Sequence, residues 1–107
     1  MQGKSSCINV LKENNITLPF GLYVTNSVQE EIGLRGAEMI TQRIKPNVAI
    51  VTDVCHDTTT PMLNPKKQGD NAIGKGPVIS YAPAVQQLLR DRIIETAEAK
   101  EIPFQRL

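Results

Sequence analysis

Tryptophan is absent from this 107-residue sequence, and phenylalanine and tyrosine together supply only 4% of it. So few aromatic side chains cannot form the stacking surface that binds single-stranded nucleic acid. A dominant charge is also lacking, because 12 lysines and arginines balance 11 acids and leave a formal net charge of +1. Without a field that attracts phosphates, neither nucleic acid nor an anionic membrane is an expected partner.

Cysteine and long apolar runs are scarce as well. Cys7 and Cys55 show no C-x-x-C spacing and are too few to cross-link a small secreted fold, so we expect reduced thiols. No apolar run approaches the roughly 20 residues that span a bilayer. The N-terminus lacks the apolar core of a signal peptide. These absences predict a cytoplasmic protein.

The segments that remain alternate between helical and strand patterns. A chain of this length with 40% hydrophobic residues fits one domain or part of one. The alternation predicts an α/β fold, a three-layer sandwich around a largely parallel or mixed sheet. Such a sheet needs cover on both faces, which three helices hardly provide, and the termini fall inside predicted elements, so we expect an incomplete domain. We predict helices at 6–14, from Gly33 to Pro46 and from Pro83 onward, and strands at 22–28, 48–52, 77–81 and 102–105.

Three carboxylates follow two of the predicted strands. Glu30 and Glu31 come after the strand that ends at Val28, and Asp53 comes after the strand that ends at Thr52. The carboxyl ends of parallel strands share one edge of a sheet, where ligands collect. Carboxylate oxygens suit divalent metals, and a carboxylate that does not bind metal can accept a proton from water. The three acids are therefore candidates for a metal site.

A structural explanation of the same acids stays open. Acids in a first helical turn are favoured by the helix dipole by about 0.3–1 kcal/mol each. An aspartate after a strand is a common turn residue. From spacing alone, this explanation is favoured over a site.

Other candidates are weaker. His56 is the only histidine and cannot make a histidine-rich zinc site. Cys55 precedes it directly, but neighbours in an extended segment point to opposite sides and do not form a nucleophile–base pair. Residues 69–75 read G-x-x-x-x-G-K, yet Gly76 replaces the Ser or Thr of a phosphate loop and an apolar strand follows. We reject a phosphate loop here.

One family fits several of these segments at once. The run Val28–Ala37, which reads VQEEIGLRGA, closely resembles the glutamyl-aminopeptidase family of dinuclear metallo-aminopeptidases, which includes the deblocking and tetrahedral enzymes. Further segments match in the family's order and extend the resemblance from Leu11 to the end of the chain. They are the acidic motif Val48–Val54, the glycine-rich loop Gly74–Ile79 and the segment Glu101–Gln105.

The resemblance implies a role for each acid. Glu30 corresponds to the general base, Glu31 to a ligand of one metal and Asp53 to a ligand of the other. Two divalent ions, zinc or cobalt, would share a water whose proton Glu30 accepts before the first peptide bond is attacked. The implied function is the hydrolysis of N-terminal residues from peptides by a complete protein that forms a homo-oligomer.

The departures from the family pattern are also informative. The bridging aspartate and both metal-binding histidines of the family fall outside this segment, and His56 matches neither histidine. Thr59 stands where an acid is common, and the inserted dimerisation domain is missing. We therefore interpret residues 1–107 as part of a catalytic domain and expect little or no activity from it alone.

Two other functions compete with this interpretation. A non-catalytic α/β interaction module would keep the acids only as turn residues. A glycoside hydrolase would use Glu30, Glu31 and Asp53 as carboxyl groups about 5–9.5 Å apart across a sugar cleft. Adjacent acids fit that geometry poorly, and the low aromatic content offers few surfaces for sugars.

Overall fold

The computed structural model describes residues 2–107, with side chains from Ile8 onward, so the side chain of Cys7 lies outside the described part. The chain divides into two compact units, Met1–Ile50 and Val51–Leu107. Each unit is described by itself. Within the described range the elements are α1 (Gln2–Glu13), α2 (Arg35–Ile44), α3 (Pro65–Gln68), β1 (Val78–Ile79), α4 (Gln87–Ala99) and β2 (Gln105–Arg106).

Helix α1 of the first unit ends where the sequence predicts. The Asn14 N–H donates to the carbonyl of Val10 (3.1 Å), and the Ile16 N–H donates to the carbonyl of Leu11 (2.9 Å). Asn15 adopts a φ of 51°, the left-handed conformation that asparagine tolerates at helix ends. The predicted stop is confirmed, and the helix, whose last turns the pattern at residues 6–14 predicts, begins at Gln2.

Helix α2 follows the prediction closely. It covers Arg35–Ile44 and ends at Lys45, which has a φ of 50° and donates its N–H to the carbonyl of Thr41 (2.8 Å). Pro46 follows, and its ring prevents further helix. Ile40 and Ile44 are half-buried, and no residue of the helix is fully buried.

The strands predicted at 22–28 and 48–52 are wrong for this chain. Both segments are non-helical, yet neither forms part of a sheet within residues 2–107. Val28 is 65% exposed and Val51 is 87% exposed, so neither segment is covered as a central strand would be. The apolar pattern identifies β-forming residues, but a strand exists only where a neighbouring strand pairs with it.

A parallel β–α–β arrangement organises the second unit. Val78 pairs with Gln105 and Ile79 with Arg106 in a two-stranded parallel sheet, and α4 forms the crossover between them. The Gln105 N–H donates to the carbonyl of Pro77 (2.8 Å), and the Leu107 N–H donates to the carbonyl of Ile79 (3.1 Å). The predicted α/β alternation is confirmed at this level, as a small mixed fold with a parallel strand pair.

Helix α4 starts later than the sequence predicts. Pro83 lies in a turn closed by the Val85 N–H and the carbonyl of Ala82 (2.9 Å). The helix begins at Gln87, because the Gln86 side chain caps it by accepting from the Leu89 N–H (2.5 Å). Only part of the apolar face of α4 is fully buried. Ile94 and Ala97 are each 8% exposed, Leu89 and Ile93 are half-buried, and Leu88 is 64% exposed.

The polar segment 64–71 contains the single-turn helix α3. Pro65 occupies its first position, where a missing N–H costs nothing. Asn64 caps the turn, since its Oδ1 accepts from the Lys66 N–H (3.0 Å). An asparagine followed by a proline is a helix-start signal. The polar composition of the segment favours a loop, so this signal is easily missed.

A close backbone approach at Gly76 leads to a stability prediction. Gly76 and Gly74 both have positive φ, 90° and 82°, but a methyl group at Gly76 would collide with the carbonyl of Pro103, whereas Gly74 faces open space. Gly74→Ala should cost about 1–2 kcal/mol from the left-handed backbone. Gly76→Ala should cost about 1–3 kcal/mol more from overpacking. Urea unfolding of both variants measures this difference, and equal losses would contradict it.

Candidate functional site

Glu30 and Glu31 of the first unit lie in a tight turn between Val28 and α2. The carbonyl of Glu30 accepts from the N–H groups of Gly33 (3.2 Å) and Leu34 (3.0 Å). Both acidic residues are exposed. The turn therefore uses the backbone of Glu30 and leaves the two carboxylates on the surface.

The turn has left-handed residues on both sides of the acids. Gln29 has a φ of 58° and Leu34 a φ of 57°. Gly36 then brings the start of α2 against the backbone of Val28, and its N–H donates to the carbonyl of Val28 (3.1 Å). A Cβ at Gly36 would lie 2.5 Å from the N and O atoms of Val28. This backbone path fixes the position of the two acids relative to α2.

Helix-dipole stabilisation does not account for the pair. Helix α2 begins at Arg35, and the acid in its first turn is Glu38. Leu34 occupies the N-cap without a side-chain hydrogen bond. Since the dipole effect is confined to the first turn, the structural explanation that spacing favoured does not apply to Glu30 and Glu31.

Asp53 belongs to the second unit and lines a cavity of about 450 Å³. Its Oδ1 accepts the N–H of Val54 at 2.7 Å. The residue is exposed. The lining consists of Val51, Thr52, Asp53, Cys55, His56, Asp57, Asn71, Ala72, Ile73, Gly74, Gly76, Pro77, Val78 and Gln105.

The Asp57 side chain connects the loop after Asp53 to Ile73, which also lines this cavity. Its Oδ1 accepts from the N–H (2.8 Å) and hydroxyl (2.5 Å) of Thr59, and its Oδ2 accepts from the N–H of Ile73 (3.0 Å). The Thr59 hydroxyl, followed by the two backbone donors, lowers the pKa of Asp57 below its ordinary value. The carboxylate is therefore held in its charged form. The Asp-x-Thr spacing is a turn signal, whereas its bond to Ile73 needed the fold.

A buried pair, Thr58 and Asn71, strengthens the same connection. Thr58 is 4% exposed and Asn71 is 3% exposed. The Thr58 N–H and hydroxyl donate to the carbonyl of Asn71 (2.9 and 3.1 Å), and the hydroxyl accepts the Asn71 N–H (2.9 Å). Nothing in the sequence marks Asn71 as special, since it closes a polar loop of ordinary composition.

The Asn71 side chain is incompletely satisfied. Its Nδ2 donates to the Sγ of Cys55 at 3.7 Å, a weak contact. Its Oδ1 is buried and accepts no hydrogen bond from the part of the chain that the structure describes. Gln105, in contrast, satisfies its amide on the same cavity by bonding the backbone of Ala72 and Gly76.

Cys55 and His56 both line the cavity, and Cys55 is an exposed free thiol. Among the described side chains, no three histidine, cysteine, aspartate or glutamate residues are grouped closely enough to hold a metal ion.

A larger cavity of about 830 Å³ lies in the first unit, between α1 and residues 15–24, and no carboxylate lines it. No helix in the described range is long and apolar enough to cross a membrane.

Comparison with known proteins decides the family. The family model for M42 glutamyl aminopeptidase matches residues 4–107, almost the whole chain. The chain belongs to the M42 glutamyl aminopeptidase family. The resemblance predicted from the EEIGLRGA segment is therefore confirmed.

Two curated relatives agree with this assignment. The lysyl aminopeptidase of Pyrococcus furiosus is 42% identical over 84 residues, which cover 78% of this M42 chain and 23% of the relative. The "Putative aminopeptidase" of Acetivibrio thermocellus is 36% identical over 91 residues, covering 78% of this chain and 26% of the relative. The chain thus spans about a quarter of the length of these relatives. No solved structure matches it significantly.

Proposed function

We propose that this M42 chain forms part of the catalytic domain of a metal-dependent aminopeptidase that removes N-terminal residues from peptides. The observation that carries the proposal is the family match over residues 4–107, which includes the exposed Glu30–Glu31 turn. The names of both relatives support the same activity.

For the complete protein we further propose a cytoplasmic location, a three-layer α/β sandwich and a homo-oligomeric assembly.

Each acid receives a separate role in this proposal. Glu31 and Asp53 would each hold one of two divalent ions, zinc or cobalt, and their oxygen atoms are suitable donors for such ions. The ions, when bound, polarise the peptide carbonyl and make water more acidic. Glu30 accepts a proton from the attacking water and returns it to the leaving amine. Exposure of all three residues leaves their carboxylates accessible.

The remaining ligands belong to other parts of the proposed enzyme. In the family pattern these are a bridging aspartate and two histidines, and we place them in the regions of the relatives that this chain does not match. Glu31 and Asp53 alone offer too few donors to complete two metal sites. The 107-residue chain is therefore proposed to be inactive by itself.

Metal-dependent turnover tests the proposed function. The complete protein should release p-nitroaniline from amino-acid p-nitroanilides, lose this activity on dialysis against a chelator and regain it with Zn²⁺ or Co²⁺. The 107-residue chain, assayed at the same concentration, should release none above the blank. Turnover that survives chelation would contradict the metal mechanism. Metal-dependent turnover by the chain alone would contradict the division of ligands.

A further inference from the structure

The turn at residues 72–76 of the second unit has little internal support. Gly74 and Gly76 have positive φ values of 82° and 90°. Within the turn, the Lys75 N–H donates to the carbonyl of Ala72 over 3.3 Å, a long hydrogen bond. Since glycine loses more conformational freedom on folding than any other residue, the turn needs contacts from outside to hold one conformation.

Gln105, at the start of β2, supplies such contacts with its side-chain amide. Its Oε1 accepts from the N–H of Ala72 at 2.9 Å, and its Nε2 donates to the carbonyls of Ala72 (3.2 Å) and Gly76 (2.9 Å). The Gly76 backbone also approaches the carbonyl of Pro103 so closely that no Cβ fits between them. Gln105 is half-buried, and its amide joins both ends of the turn to β2.

The turn presents an uncovered surface to the cavity beside Asp53. Its residues that line this cavity are Ala72, Ile73, Gly74 and Gly76. The Ile73 side chain is 84% exposed, and a Cβ placed on Gly74 would meet no atom within 4 Å. Glycine at such a position lets a ligand approach the backbone closely. The turn therefore offers an apolar side chain and bare backbone next to a proposed metal ligand.

We propose, building on the proposed function, that Gln105 is a positioning residue that holds the turn 72–76 as a wall on which the substrate peptide binds. The peptide contacts Ile73 and the backbone at Gly74, and Gln105 acts through the turn. The general base and the metal ligands of the proposed mechanism are other residues. Loss of the Gln105 amide therefore weakens substrate binding and leaves the chemical step and the metal sites unchanged.

Steady-state kinetics of the complete enzyme with leucine p-nitroanilide test this role. Gln105→Leu removes the amide, whereas Gln105→Glu keeps an acceptor for the Ala72 N–H but cannot donate to the two carbonyls. We expect KM to rise about 10-fold in both variants, because a turn that is ordered for only part of the time lowers the apparent affinity. The kcat should stay within about twofold, as expected when binding alone is weakened, and the zinc content should not change.

The matched controls are Gln87→Leu and Gln87→Glu, which make the same changes at an exposed glutamine of α4 outside the cavity lining. Both should keep the KM of the parent enzyme. An unchanged KM in the Gln105 variants, or an equal rise in the Gln87 variants, would overturn the proposal. A fall in kcat with an unchanged KM would also overturn it, because that pattern assigns Gln105 to the chemical step.

Hydrogen exchange of the 107-residue chain measures the positioning without turnover. In the unaltered chain the Ala72 N–H, which Gln105 accepts, should exchange more slowly than the Gly74 N–H, which has no acceptor within the described range. In Gln105→Leu the Ala72 N–H should lose this protection. The Thr58 N–H, bonded to the carbonyl of Asn71 (2.9 Å), should keep its own protection. Equal losses at both amides would indicate general unfolding and overturn the proposal.

The two experiments separate this inference from the proposed function. Fast exchange of the Ala72 N–H in the unaltered chain would overturn the inference, even if the complete protein is a metal-dependent aminopeptidase, and it requires no variant to fold. Slow exchange there, together with a complete protein that hydrolyses no p-nitroanilide, would refute the proposed function while Gln105 still holds the turn.

Discussion

Replacement of Glu30 by glutamine in the complete aminopeptidase is expected to lower kcat by about 10²–10⁴-fold, the range that a general base contributes. Glutamine keeps the size of the side chain but cannot accept the proton of water. The turn should persist, because it is built from the carbonyl of Glu30 and the N–H groups of Gly33 and Leu34. The content of bound metal, measured by elemental analysis, should not change.

A matched control separates the base from a general effect of charge. Glu38→Gln removes one carboxylate from α2, where Glu38 only accepts a side-chain hydrogen bond from Gln42 at 3.2 Å. This variant should retain the kcat of the parent enzyme. If Glu30→Gln retains it too, Glu30 is not the base, and if Glu30→Gln loses metal, the roles of Glu30 and Glu31 are exchanged.

Asp53→Asn is expected to weaken metal binding at one site by more than about 100-fold, since loss of a direct ligand should exceed the 10–100-fold cost of altering an outer-shell residue. Asparagine keeps an Oδ1 that can accept the Val54 N–H, so the local backbone should be preserved. Glu31→Gln should have the same effect on the other site. Calorimetric titration of the metal-free complete protein with Zn²⁺ measures both.

The control for this prediction is Asp70→Asn, which removes a carboxylate from the same unit at a position outside the cavity. Its two binding steps should match those of the parent protein. Retention of both steps in Asp53→Asn would show that Asp53 is not a ligand. A stoichiometry reduced by one, with catalysis lost, is the expected pattern.

Local signals predicted the helices and the family well. The Asn14–Asn15 stop, the Pro46 boundary and the EEIGLRGA segment each carry their information within a few residues, and each was confirmed. The start of α4 was misplaced because Pro83 suits both a helix and a turn. The Gln86 cap is a side-chain contact that no pattern of hydrophobic residues reveals.

Sequence could not decide features that depend on distant partners. The apolar run Val48–Val51 has the composition of a buried strand, but pairing requires another segment beside it, and Val51 remains 87% exposed. The unsatisfied acceptor of Asn71 is equally invisible, because it arises from which groups surround one side chain. That Glu30, Glu31 and Asp53 act at one metal site stays a prediction. The Zn²⁺ titrations of Glu31→Gln and Asp53→Asn test the two ligands.

The left-handed residues around the acids have an energetic meaning. Gln29 and Leu34, at φ values of 58° and 57°, carry side chains that disfavour this conformation by roughly 1–2 kcal/mol each. Other interactions in the folded chain must offset this cost. Without them, Gln29 and Leu34 would return to a conformation with negative φ. Strain of this kind persists mainly where a fixed geometry is useful. The turn that presents Glu30 and Glu31 therefore forms against the backbone preference of two of its residues, as expected for carboxylates that must be rigid before they meet a ligand.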